Sequence, residues 1–147
     1  MNIPLALLWF SIGFVLVNGL KMLHIVRSAN KMQEQTGYTS QETEDFQKKA
    51  YKKSLPYTPV YYLIVWLLCS TFYFSQHTAV HVFSDGLLTG ILWWLLTLLL
   101  EMLLWIIARH RMQLSWKEMY MESQPWLSVS YYAVLISPLI LSMIIAF

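Results

Sequence analysis

The chain has 147 residues, of which 57% are hydrophobic and only 12% are charged. About a quarter of the residues of a soluble domain are charged, so this chain has too little polar surface to cover a soluble globule. The net charge is only +2, and the few basic residues lie beside apolar stretches, which argues against a nucleic-acid partner. The single cysteine, Cys69, excludes a disulfide framework or a cysteine-based metal site within one chain.

Four stretches are long and apolar enough to be membrane-spanning helices, which need about 20 residues each. They cover about residues 3–25, 57–76, 87–108 and 126–146. Lipid offers no hydrogen-bond partner, so only helices or closed barrels span it, and these stretches lack the alternation of barrel strands. The sequence therefore predicts an all-α membrane protein, one polytopic domain over residues 1–147. We expect a four-transmembrane-helix bundle with short amphipathic cytoplasmic helices.

The positions of the basic residues predict the orientation of these spans. Seven of the ten Lys and Arg residues lie in or beside the connection between the first two spans, and three lie between the last two. Basic loops stay in the cytoplasm by the positive-inside rule. We therefore expect loops 27–55 and 109–125 in the cytoplasm, with loop 77–86 and both termini outside. The expected location is the cell membrane, of the bacterial inner-membrane type.

The first span is expected to be a retained helix rather than a signal peptide. No basic residue precedes it, and no small-residue cleavage motif follows it. Its positive charges come after the apolar run, an order that favours an external N-terminus.

The first cytoplasmic loop is predicted to contain a short helix from about Ser40 to Ser54. Thr39 and Glu42 form a T-x-x-E capping box at its start. Polar residues 27–38, before this helix, are predicted to be a flexible linker. The helix carries four lysines: Lys48, Lys49, Lys52 and Lys53. We expect these lysines to contact anionic lipid head groups, each contact worth about 1 kcal/mol, or alternatively to dock a cytoplasmic partner.

The second cytoplasmic loop is predicted to hold an interfacial helix. Ser115 and Glu118 form another capping box, and Trp116, Met119 and Tyr120 give that turn an apolar side. A helix of this kind lies in the head-group region and anchors the neighbouring spans.

Glu101 is the only ionisable residue deep within a predicted span. Intramembrane carboxylates are costly, and they usually face the bundle interior or a wet cavity. Helical spacing places Thr97 near the same face, while Asn18 and Lys21 share a face of the first span. We therefore predict an intramembrane polar site of Glu101, Lys21, Asn18 and Thr97, in which Lys21 pairs with Glu101. The pair is interpreted as a structural tie, a proton- or cation-coupled site, or a contact with a partner subunit.

A second candidate site lies in the external connection. His77, His81 and Asp85 are spaced i, i+4, i+8, and they share one face if the second span stays helical past Ser75. Two imidazoles and a carboxylate can bind Zn²⁺ with one position open for water, and such a site could hydrolyse a bond at the outer leaflet. Alternatively, Ser84 or Asp85 caps the third span and the two histidines are interfacial. No other cofactor is expected.

The sequence contains no catalytic-triad, phosphate-loop, dinucleotide or haem motif. We expect a small integral membrane protein, without enzymatic activity, that acts by binding as an accessory, regulatory or immunity-like subunit or as a homo-oligomer. The expected partners are the lipid bilayer, anionic head groups, and another membrane protein or a second copy, with no nucleic acid. The alternatives are a small proton- or cation-coupled transporter that uses Glu101, and an outer-face metal-dependent hydrolase.

Overall fold

The computed structural model describes residues 1–36, 43–77, 81–112, 117 and 120–146, without the side chains of residues 35–36, 43–47 and 108–112. The helices are α1 (Ile3–Thr36), α2 (Thr43–Ser54), α3 (Thr58–Gln76), α4 (Val82–Met112) and α5 (Trp126–Ala146), with a 3₁₀ turn at Leu55–Tyr57. Within these ranges no strand is present. Four runs of helix, over Ile3–Glu34, Lys48–Gln76, Val82–Ile107 and Trp126–Ala146, are long and apolar enough to cross a membrane. The predicted four-helix membrane bundle is therefore confirmed.

Helix α1 is much longer than a membrane requires. Its 34 residues extend about 51 Å at 1.5 Å per residue, against a hydrocarbon thickness of about 30 Å. The prediction of a flexible linker from residue 27 is wrong as far as Thr36, because the helix continues through that polar stretch. Residues 29–36 contain no glycine or proline, and Ala, Lys, Met, Gln and Glu are good helix formers.

Helix α2 runs back along the extension of α1 and leads into α3. Ala50 of α2 is fully buried, and α2 packs against α1. Pro56 lies within the 3₁₀ turn, and Pro59 lies in the first turn of α3, where a missing N–H leaves no bond unmade. The predicted helix of residues 40–54 is therefore present from Thr43, while its capping box at 39–42 lies outside the described residues.

Helix α4 begins earlier and ends later than predicted, since it covers Val82–Met112 rather than 87–108. It therefore occupies the first part of the predicted second loop. The capping box of Ser115 and Glu118 lies outside the described residues, as do Trp116 and Met119.

The helices pack around α5, which lies against both α3 and α4, while α1 packs mainly against α2 and α3. Aromatic and small side chains fill the interior, including Tyr62, Trp66, Tyr73, Trp93 and Val134. Apolar side chains also cover the outside: Val15, Leu23 and Ile107 are each about 70% exposed. An apolar exterior of this kind suits a surface that faces lipid.

The bundle has two ends, which we name by their residues. The basic end contains the last two turns of the spanning part of α1, the start of α3, the part of α4 around Glu101 and the part of the chain around Trp126, where α5 begins. The terminal end contains Met1, the α3–α4 connection and Ala146.

Candidate functional site

The carboxylate of Glu101 on α4 is surrounded by three hydrogen-bond donors. Lys21 Nζ lies 2.9 Å from Glu101 Oε1. The Tyr62 hydroxyl donates to the same oxygen, and the Tyr131 hydroxyl donates to Oε2 at 2.8 Å. Glu101 is buried, with 8% of its surface exposed. We call Lys21, Tyr62, Glu101 and Tyr131 the polar cluster.

Each member of the polar cluster comes from a different spanning helix: Lys21 from α1, Tyr62 from α3, Glu101 from α4 and Tyr131 from α5. Lys21 Nζ is also 3.3 Å from the Tyr62 hydroxyl and 5.3 Å from the centroid of its ring. A cation over an aromatic face is attracted by the ring quadrupole. The cluster therefore connects all four spans at one level, six residues, or about 9 Å, from Ile107 at the end of the α4 span.

The cluster satisfies a buried charge. A carboxylate has about four acceptor positions, and here one cation and two hydroxyls occupy three of them. A buried ion pair is tolerated only when its geometry is good and further hydrogen bonds complete it. The Lys21 side chain retains 23% exposure and Tyr131 is also partly buried, whereas Tyr62 and Glu101 are buried. The arrangement thus gives the buried carboxylate of Glu101 one cation and two hydroxyl donors.

The structure brings together only part of the predicted polar site. Lys21 and Glu101 meet, but Asn18 Nδ2 donates to Phe14 O at 2.9 Å and Thr97 Oγ1 donates to Trp93 O at 2.8 Å. Both side chains are therefore bound to the backbone of their own helices. Backbone bonding of this kind is common for small polar residues inside membrane helices.

Sequence reasoning missed the two tyrosines. Tyrosine near the end of a span usually indicates an interface anchor, and both residues fit that description. Tyr62, however, lies four residues after Thr58, where α3 begins, and Tyr131 lies five residues after Trp126, where α5 begins. A phenol that lies one full turn inside an apolar run needs a buried hydrogen-bond acceptor. The depth of the two tyrosines was therefore the sequence signal that could have placed them in the site.

A second buried carboxylate lies at the terminal end. Asp85, in the first turn of α4, is 4% exposed. Its Oδ2 lies 2.8 Å from His77 Nε2 and accepts a hydrogen bond from the Tyr73 hydroxyl at 3.3 Å, and its Oδ1 lies 2.5 Å from the Met1 amino group. The acid also benefits from the positive end of the α4 dipole.

The predicted metal ligands are only partly brought together. His77 and Asp85 are neighbours, but α3 ends at Gln76, and the backbone at His77 is extended. The continuous helix that the i, i+4, i+8 spacing requires is therefore absent, and His81 lies exposed before α4. Among the described residues, no three His, Cys, Asp or Glu side chains are grouped so that they could hold a metal ion.

The four lysines of α2 lie apart from the polar cluster. Lys52 Nζ lies 2.7 Å from Glu122 Oε2, and both side chains are nearly half exposed. Exposed pairs of this kind contribute little to stability. The Tyr51 hydroxyl also lies 3.5 Å from Ser123 Oγ. These contacts connect α2 to the segment that precedes α5 and leave Lys49 and Lys53 on the surface.

Comparison with protein-family models, with curated proteins and with solved structures gives no match.

Proposed function

We propose that this chain is a non-enzymatic, multi-pass membrane protein that acts by binding, as an accessory, regulatory or immunity-like subunit or as a homo-oligomer. The observation that carries this proposal is the polar cluster. The buried acid of this cluster is bound by donors from the three other spanning helices, which supports a role for the acid in holding the four helices together. A rigid bundle is a suitable base from which to present a surface.

The surface best suited to binding is the projecting helix pair, which we define as residues 27–36 of α1 together with α2. The two helices pack against each other. Arg27, Lys31 and Glu34 are exposed on α1, as is Lys53 on α2. Charged side chains on a rigid helical pair suit contact with head groups or with a polar partner surface.

The proposal includes an orientation: the basic end faces the cytoplasm of a bacterial cell, and both termini face outward. The clustering of Lys and Arg at one end supports it. Gln33→Cys in a Cys69→Ser background gives one exposed thiol on the projecting helix pair. Membrane-impermeant maleimide should label it in lysed cells only, and labelling in intact cells would reverse the orientation.

Binding itself is tested by site-specific photocrosslinking in living cells. A photoreactive amino acid at Gln33, on the projecting helix pair, should give a discrete protein adduct whose mass identifies a second copy or a distinct partner. Leu99, which is 59% exposed on the apolar surface of α4, is the matched control and should give lipid adducts. If Gln33 gives no protein adduct, and the purified chain is monomeric by native mass spectrometry, the binding proposal is wrong.

One observation favours the coupled-transporter alternative: a buried carboxylate is paired with a lysine that keeps 23% exposure. Intramembrane pairs of this type do occur on proton and ion pathways. The alternative predicts that Glu101→Gln abolishes pH-driven flux in proteoliposomes. Flux that is unchanged in this variant, or absent from the unaltered protein across a panel of cationic substrates, would exclude it.

A further inference from the structure

A groove of about 830 Å³ lies at the basic end beside α1, and it extends past His24 onto the part of α1 that belongs to the projecting helix pair. It is formed by one face of α1 and by Tyr61 at the start of α3. Its volume is within the range of about 300–1,000 Å³ that is usual for small-molecule sites. None of the four members of the polar cluster lines it, so it is a separate feature.

The lining of the groove changes from apolar to basic along α1. Leu20 and Leu23 come first, followed by His24, and then by Arg27 and Lys31. These positions follow the i, i+3, i+4, i+7 spacing of one helix face. Leu23 is 68% exposed, which is typical of a side chain that faces lipid. The groove therefore crosses the level at which α1 passes from its apolar to its polar part.

Aromatic residues mark the same level. His24 Nδ1 lies 2.5 Å from the Tyr61 hydroxyl, and the His24 ring lies 5.1 Å from the ring of Tyr57. Tyrosines are enriched where hydrocarbon meets the head groups. The middle of the groove is thus placed at the membrane surface, with its apolar part inside the hydrocarbon and its basic part among the head groups.

The polar part of the groove has an excess of positive charge. Arg27 and Lys31 are exposed, and neither forms a salt bridge within the described ranges. Among the described residues Glu34 is the single acid of the lining, and it lies at the far end of the face. A guanidinium can bind phosphate oxygens in a bidentate manner, and an ammonium adds a point charge.

We propose that this groove binds one anionic phospholipid, with its phosphate at Arg27 and Lys31 and the upper part of an acyl chain against Leu20 and Leu23. The combination of a basic end and a lipid-facing apolar end fits a whole lipid better than a free phosphate, because a free phosphate would leave the leucines without an occupant. The proposal depends on the membrane residence of the chain, which is part of the proposed function, but it does not require a protein partner.

The test reconstitutes the protein into nanodiscs with equal amounts of phosphatidylglycerol and phosphatidylcholine and measures the retained lipid by native mass spectrometry. One phosphatidylglycerol should be retained preferentially. Because each basic residue near the surface contributes about 1 kcal/mol, Arg27→Gln/Lys31→Gln should lower this preference about 25-fold. Lys117→Gln removes one exposed charge outside the groove and should keep the preference, whereas Arg27→Gln alone should lower it about 5-fold.

Two further measurements distinguish a lipid phosphate from a free phosphate, and a failure of this proposal from a failure of the proposed function. Glycerol 1-phosphate, which has no acyl chain, should not displace the retained lipid, whereas Leu23→Asn should weaken retention several-fold. Equal losses in Arg27→Gln and Lys117→Gln would show diffuse attraction rather than a site, and displacement by glycerol 1-phosphate would show that the groove binds a soluble anion rather than a lipid. Either result overturns the inference, while the crosslinking result at Gln33 would stand unaffected.

Discussion

The two seams of α4, one with α5 and one with α1, are built in different ways. Along the α4–α5 seam the backbones approach closely at two glycines. A Cβ added at Gly90 would lie 2.4 Å from Leu135 O, and one added at Gly86 would lie 2.4 Å from Ser142 Oγ. Close approach through small residues is a common way in which membrane helices associate, since lipid provides no hydrophobic drive between them.

Helices α1 and α4 make few direct backbone contacts, and side chains bridge the distance. Lys21 reaches Glu101 near the basic end, and Trp93 Nε1 donates to Ala6 O in the first turn of α1 at 2.9 Å. The contrast shows two solutions to one problem: small residues let backbones touch, and long polar side chains tie helices that stand apart. We expect the loss of one polar side-chain contact to lower the free energy of unfolding more than the loss of one close backbone contact. The following variants test this expectation.

Lys21→Met should have the largest effect because it leaves a buried carboxylate without its cation. We expect a loss of about 3–5 kcal/mol in the free energy of unfolding, measured by titration with sodium dodecyl sulfate in mixed micelles. Lys21→Met combined with Glu101→Leu removes both charges and should recover a large part of this loss. If the double variant is as unstable as the single one, the tie is not electrostatic.

Gly90→Ala should have the next effect, because the new methyl group meets the carbonyl oxygen of Leu135 and the two helices must separate. Overpacking of this kind costs about 1–3 kcal/mol, measured in the same titration. Gly19→Ala is the matched control, since a Cβ there meets no atom within 4 Å. Equal stability of the two variants would show that the α4–α5 seam is not closely packed.

Tyr131→Phe removes one hydrogen bond to the charged Glu101 and leaves Lys21 and Tyr62 in place. Hydrogen bonds to charged groups are worth about 1.5–3 kcal/mol, and we expect the lower part of that range because Tyr131 is only partly buried. The neighbouring Tyr132→Phe is the control, since Tyr132 is 62% exposed. A cost equal to that of Lys21→Met would mean that the cluster is held by its phenols rather than by its cation.

Asp85→Asn should have the smallest effect, about 1 kcal/mol. The amide still accepts a hydrogen bond from Tyr73, and Met1, whose amino group loses its ion pair, is 42% exposed. The favourable contact of an acid with the α4 dipole accounts for about 0.3–1 kcal/mol. Thermal unfolding in mild detergent should therefore shift by only a few degrees. A loss as large as that of Lys21→Met would make the terminal end the main tie between α1 and α4.

The sequence predicted the four spans and the pairing of Lys21 with Glu101, because both depend on strong signals. An apolar run of about 20 residues has few alternatives, and a lone acid in lipid requires a cation. The tyrosines of the cluster were missed because a tyrosine near a span end fits the membrane interface equally well. The depth of one turn inside an apolar run favours a buried acceptor, but only the positions of α3 and α5 relative to Glu101 identify that acceptor.

Two other differences involve packing contacts in addition to the local sequence. The polar part of α1 resembles a linker by composition, but α2 packs against it and makes a continuous helix favourable. The spacing of His77, His81 and Asp85 suggested one helical face, yet α3 ends at Gln76. Helix ends depend on how neighbouring elements close the connection, and hydropathy does not report them.

The distribution of the polar cluster over four helices also has a consequence for biosynthesis. Lys21 and Tyr62 precede Glu101 in the chain, whereas Tyr131 follows it. Chains are made from the N-terminus, so the third hydrophobic segment leaves the ribosome when two of its three donors already exist. An acid raises the insertion free energy of a segment, by about 2.5–3.5 kcal/mol at the helix centre and by less nearer its end, and the ammonium of Lys21 would offset part of it. The order of synthesis thus lets the third segment enter the bilayer with a cation for its acid already made.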